Sequence, residues 1–135
     1  TPEVTARIFR IDQVPAVREE LVARQQSFGA DGRVVAEGRD IGTVVFPRAR
    51  CKVYMDASLD ERARRRYKEL VAKGVETELD EVRRAIADRD KKTMSRAVAP
   101  LRPAEGAVRL DTTDLTPQQA AEAVVKLARD RGVTC

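Results

Sequence analysis

The segment Gly38-Arg39-Asp40-Ile41-Gly42-Thr43 holds the residues best suited to chemistry in this 135-residue chain. Glycines on both sides of an Arg-Asp pair let the backbone approach a ligand. The arginine can then meet phosphate oxygens in pairs, while the aspartate accepts from a donor group. A surface turn carrying an ion pair is the commoner use of the same residues. A second concentration of guanidiniums follows. Arg62, Arg65 and Arg66 fall along one side of a helical stretch, and Arg89 and Arg96 extend the same charged region. Phosphoryl transfer depends on positioning and on neutralising phosphate oxygens, which such a set could supply. The plainer reading of the helix arginines is a solvated face paired with Glu61, Glu69 and Asp90.

Composition narrows the chemistry further. Histidine is absent, which removes imidazole general bases, His-Cys zinc sites and Ser-His triads. Cys51 and Cys135 are the two cysteines, too few for a metal cluster or a disulfide scaffold, so no metal site and a reduced, cytoplasmic setting are expected. Basic residues exceed acidic ones by 26 to 22, a modest surplus. The surplus is carried by 20 arginines against six lysines, which suits phosphate handling and also suits a GC-rich genome. With aromatics at 4% and no lysine-rich tract, a polynucleotide binder is the weakest reading. No apolar run reaches the ~20 residues of a membrane-spanning helix, and no secretion signal is recognisable at the start.

Alternating strands and helices must position these residues. Thr1-Pro2-Glu3 reads as a helix start, with Val4, Ile8 and Ile11 on one face. Pro15 opens a second helix with Val17, Leu21 and Val22 as its apolar stripe, ending before Gly29-Ala30-Asp31-Gly32. Val34-Val35-Ala36, Lys52–Ala57 and Ala107–Asp111 read as buried parallel strands. Ser58-Leu59-Asp60-Glu61 predicts a capping box opening a helix with Leu59, Ala63, Tyr67, Leu70 and Val71 on its apolar face, stopped by Gly74. Leu79, Val82 and Ile86 mark the next helix. Thr116-Pro117-Gln118-Gln119 caps the last one, which docks through Ala120, Val124 and Leu127. The fold class is α/β, a parallel sheet flanked by helices in a single domain. Its expected parts are a helical part at 1–33, core strands at 34–57, helices at 58–98, and a core strand with the terminal helix at 99–135. Ligands of such sheets bind beyond the carboxyl ends of the strands, where Arg39-Asp40, Asp56-Ala57-Ser58 and Asp111-Thr112-Thr113 fall.

The run from Val35 through Ala36-Glu37-Gly38-Arg39-Asp40-Ile41-Gly42-Thr43-Val44-Val45-Phe46 to Pro47 resembles the signature of bacterial cytidylate kinases. The likeness continues through Lys52-Val53-Tyr54-Met55-Asp56-Ala57-Ser58, Glu61–Arg66, Arg89-Asp90, Ser95–Leu101 and Leu110–Thr113, with Pro15-Ala16-Val17-Arg18 before it. The resemblance implies a P-loop nucleoside monophosphate kinase fold and transfer of the γ-phosphoryl of ATP to CMP or dCMP, with Mg²⁺. It implies that Arg18 contacts the pyrimidine end, Asp40 the cytosine amino group and Arg39 the nucleotide phosphate. Arg89 would serve the sugar and phosphate region, and Arg96 the base side. Arg62 and Arg65 would approach the transferring phosphates on a mobile lid, making Arg39, Arg62, Arg65 and Arg89 the catalytic set.

Two positions depart from the family pattern: Phe9 stands where a serine is usual, and Thr93 where a ribose-binding aspartate is usual. The likeness also spans only the later part of the family's length, and no Gly-x-x-x-x-Gly-Lys-Ser/Thr loop occurs. ATP and Mg²⁺ are therefore expected to be held by an amino-terminal segment outside these residues, and this chain alone is expected to be inactive. Its completing partner would be that segment or a second copy. The alternative is a catalytically inactive nucleotide-binding fragment or scaffold. A P-loop strand would lie between the Val34 strand and the Lys52 strand, and without it both are expected to present unpaired edges.

Overall fold

Proline at the first helical turn and glycine just past the last frame the first helix of the computed structural model, which describes residues 14–94 and 102–133. Helix α1 (Pro15–Phe28) begins where proline's missing N–H would have had no partner. It ends at Gly29, whose N–H donates to the carbonyls of Gln25 and Gln26. The expected apolar stripe of α1 is not buried: none of its residues is, and Leu21 is 51% exposed. The helix expected from Thr1, with Val4, Ile8 and Ile11, lies outside the described residues.

Among the described residues the sheet has two parallel strands, β1 (Val53–Asp56) and β2 (Val108–Asp111), in register from Val53 opposite Val108 to Asp56 opposite Asp111. One hydrogen bond beyond each end extends the ladder, Val108 N to Lys52 O at 2.9 Å and Thr112 N to Asp56 O at 2.8 Å. Thr112, 4% exposed, seals the carboxyl end, its hydroxyl donating to the Asp56 carbonyl at 2.9 Å. Thr112→Val keeps the shape and removes that bond. It is expected to cost about 1 kcal/mol, read as a lower Tm in thermal melts.

Val34-Val35-Ala36 does not form the expected strand. Residues 33–37 carry no regular structure, and Val34 and Val35 are 46% and 99% exposed. An apolar triplet becomes a strand only when a neighbour takes its N–H and C=O groups, and β1 and β2 pair with each other instead. The chain next makes a single π turn, Ile41–Val45, around the Asp40 carbonyl. That carbonyl accepts from the backbone of Thr43, Val44 and Val45 and from the Thr43 hydroxyl. Val45, 2% exposed, is buried beneath it.

Helices α2 (Leu59–Ala72) and α3 (Leu79–Met94) pack on each other and bury Ala63 and Val82. Ser58 caps α2, its hydroxyl accepting from Glu61 N at 3.2 Å, but the capping box is only half formed. The Glu61 carboxylate turns to Arg64 and Arg65, and the Ser58 N–H donates to the Thr113 hydroxyl. Gly74, at φ 73°, ends the helix as expected. Val71 stays half exposed. The last helix, α4 (Pro117–Asp130), has the full box, with Thr116 and Gln119 bonding reciprocally. Ala120 is buried, yet a groove of about 960 Å³ stays open between α4, Leu115, Val35 and Met55. Met55, in a paired strand, is 54% exposed there.

Carboxylate–guanidinium contacts give α2 and α3 an acid-sensitive surface. Lys73 and Arg66 hydrogen-bond the Glu69 carboxylate and lower its pKa from the usual 4.5 to about 2. Arg83 likewise lowers Asp60, and Arg65 lowers Glu61. Carboxyls depressed in the folded chain add stability above their unfolded pKa and lose it as pH falls through the folded value. Protection of α2 amides from hydrogen exchange is therefore expected to be constant at neutral pH and to drop between about pH 4.5 and 2. These groups are exposed, so salt should flatten the drop.

Candidate functional site

Asp40 sits where residues 33–37 enter the π turn, and α1 brings Arg18 to it. The two side chains form an ion pair across 22 residues, each only about one-fifth exposed. Two further contacts fix α1 against the turn. Gln26 donates to the Val45 carbonyl at 3.1 Å, and the Phe46 ring lies so close to Gly29 that a Cβ there would stand 2.5 Å from it. Gly38, at φ 155°, adopts backbone that side-chain-bearing residues avoid, and a Cβ would come within 2.8 Å of Ile41. Glycine is thus needed at Gly38 for conformation and at Gly29 for space. Gly42 faces Ala104, where a Cβ would meet the Ala104 Cβ at 3.1 Å. Arg39 is exposed beside the pair.

A second cluster forms at the carboxyl end of β1. Arg62 Nε donates to the Ala57 carbonyl at 2.9 Å, and its Nη1 reaches Asp90 of α3 at 2.5 Å. Arg65, one turn on, donates to the Thr112 carbonyl at 2.5 Å and pairs with Glu61 at 2.9 Å. Arg64 and Arg66 pair within α2, with Glu61 and Glu69. For Arg64 and Arg66 the solvated, intrahelically paired face is therefore what the structure contains, while Arg65 adds to its Glu61 pair a bond to the Thr112 carbonyl. Arg62 differs, since its carboxylate comes from another helix. Arg89 adjoins Asp90 on α3 and is exposed. Arg96 and Phe9 lie outside the described residues, as does the side chain of Thr93.

The structure thus joins Arg18 to Asp40, and Arg62 to the turn of α3 that carries Arg89. Sequence reasoning missed the Ala57 and Thr112 carbonyls as anchors for Arg62 and Arg65. Their signal was the strand-end position of both residues, where carbonyls run out of ladder partners. Among the described residues no three Asp, Glu or Cys side chains converge to hold a metal ion. No helix among the described residues is long and apolar enough to cross a membrane.

The family model for cytidylate kinase matches residues 1–130. The chain belongs to the cytidylate kinase family. It is 49% identical over 129 residues to the cytidylate kinases of Streptococcus pneumoniae strain Hungary19A-6, serotype 19F strain G54 and serotype 2 strain D39. Each alignment covers 96% of this chain and 58% of the relative, so the chain spans well under two-thirds of the length of the curated relatives it matches. Among cytidylate kinase family members, a small parallel sheet flanked by helices is the fold expected of a nucleoside monophosphate kinase, and β1, β2 and the surrounding helices have that form.

Proposed function

We propose that this chain forms the acceptor-nucleotide site and lid of an ATP-dependent cytoplasmic kinase that converts CMP and dCMP to their diphosphates. The observation that carries the reading is the Arg18–Asp40 pair on a glycine-permitted turn, supported by two further contacts between the α1 segment and that turn. A carboxylate fixed in this way accepts from an exocyclic amine. Cytosine presents an amine at the position where uracil presents a carbonyl, so Asp40 selects between them by hydrogen-bond polarity. Arg18 holds that carboxylate in place through the ion pair and reaches the pyrimidine end of the nucleotide. Arg39, next along the chain, takes the nucleotide phosphate, and Arg89 and Arg96 serve its sugar, phosphate and base.

Arg62 and Arg65 stand at the root of the lid. Closure would exclude water and bring their guanidiniums to the oxygens of the transferring phosphoryl group, where charge neutralisation supplies most of the catalysis. ATP is held by an amino-terminal segment that carries the phosphate-cradling loop. The groove beside Met55 and Val35, apolar and open, gives that segment a surface on which to pack.

A phosphoryl-transfer assay across CMP, dCMP, UMP and AMP tests the proposal. It is run on this chain alone and on the chain completed with the amino-terminal part of the S. pneumoniae relative that it does not span. The expected result is turnover of CMP and dCMP by the completed protein, well above UMP and AMP. Equal turnover of all four, or none in either form, overturns the reading.

A further inference from the structure

Arg62 is the arginine of the Arg62–Arg66 run whose carboxylate partner lies on a different helix, and its setting differs from those of its neighbours. Its guanidinium is divided between the Ala57 carbonyl, at the end of β1, and Asp90, on α3. Both side chains of the ion pair are about one-third exposed, whereas the Arg66–Glu69 pair is close to half exposed on both sides. The pair also lies beside the tightest packing in this part of the chain, Ala63 at 1% and Val82 at 5% exposure. A second interhelix pair, Asp60 with Arg83 at 2.6 Å, is more exposed and holds the same two helices without touching Arg62. The α2–α3 contact thus has a second ion pair besides that of Asp90, whereas Asp90 is the carboxylate that meets Arg62.

We propose that Asp90 is a positioning residue: it holds the Arg62 guanidinium at the carboxyl end of β1 and ties that placement to the turn of α3 bearing Arg89. A long, flexible side chain is thereby set in one orientation before substrate arrives, which lowers the cost of ordering it at the phosphates. When the phosphoryl oxygens come within reach they compete with Asp90 for the guanidinium, and Ala57 keeps its Nε anchored. The proposal rests on the reading above that Arg62 meets the transferring phosphates.

The test uses whichever form turns over in the assay above, with Asp90→Asn, Asp90→Glu, Arg62→Ala and the double variant Arg62→Ala/Asp90→Asn. Asp90→Asn preserves shape and is expected to lower kcat about ten-fold, with KM for CMP changed less than about two-fold and Tm nearly unchanged. Asp90→Glu should restore most of kcat. In the Arg62→Ala background the Asp90→Asn change should have no further effect on kcat, because the residue it positions is gone. Additive losses in the double variant, or a fall in Tm that accompanies and accounts for the loss of activity, would show a structural role and overturn the proposal. Unchanged kcat in Asp90→Asn while Arg62→Ala is impaired also overturns it. Unchanged kcat in Arg62→Ala overturns the phosphate role of Arg62 itself, and the positioning role with it.

Discussion

Arg39→Ala is expected to weaken CMP binding by about 2 kcal/mol, roughly thirty-fold, which is the scale of one lost charge-assisted contact to phosphate. The residue is exposed, so its removal should leave Tm nearly unchanged. Titration calorimetry with CMP and with cytidine separates the contributions. If Arg39 holds the phosphate, the variant should lose affinity for CMP and leave cytidine binding unaltered. An equal loss for both ligands would place Arg39 at the base or sugar instead. Undiminished CMP affinity in a folded variant would remove it from the site.

Gly38→Ala should produce the second large effect, through the backbone. The residue sits at φ 155°, and an added Cβ would press to 2.8 Å against Ile41, which begins the π turn that carries Asp40. Strain of this kind costs on the order of 1–3 kcal/mol. Relieving it would rotate Asp40 away from Arg18, so stability and CMP affinity should fall together. Gly42→Ala is a useful comparison. Its Cβ would meet the Ala104 methyl at 3.1 Å and the Lys52 side chain at ordinary contact distance, and a slight shift accommodates that. A Gly38→Ala variant with wild-type Tm and affinity would show that the turn does not depend on glycine there.

Where the sequence carried short-range signals, it was legible. Pro15, Ser58, Gly74 and the Thr116–Gln119 box mark helix ends found within a residue or two of their expected places. The Lys52 and Ala107 runs pair in parallel as read. Long-range pairing was not legible from local pattern. Val34-Val35-Ala36 has the composition of a buried strand, yet a strand is a property of two segments, and no partner takes it up among the described residues. The same distinction divides the site. Arg18 and Asp40 were assigned separate roles through the family likeness, whereas their contact with each other depends on how α1 packs on the π turn. For the guanidiniums of α2 the plainer sequence reading, pairing with Glu61, Glu69 and Asp90, is what the described residues contain. An i,i+3 or i,i+4 pair is visible in sequence, whereas Asp90 could be named as a partner but its match with Arg62 depends on how the two helices pack.

The most direct measurement is CMP binding followed by calorimetry on the wild-type protein and on Asp40→Asn, with UMP titrated alongside. Asparagine keeps the size of the side chain and gives up its charge, so the Arg18 pairing and the acceptor for the cytosine amine are weakened together. If this pair reads the pyrimidine, the wild type binds CMP well ahead of UMP, and Asp40→Asn erases most of that preference. A variant that still favours CMP over UMP by the wild-type margin would contradict the assignment.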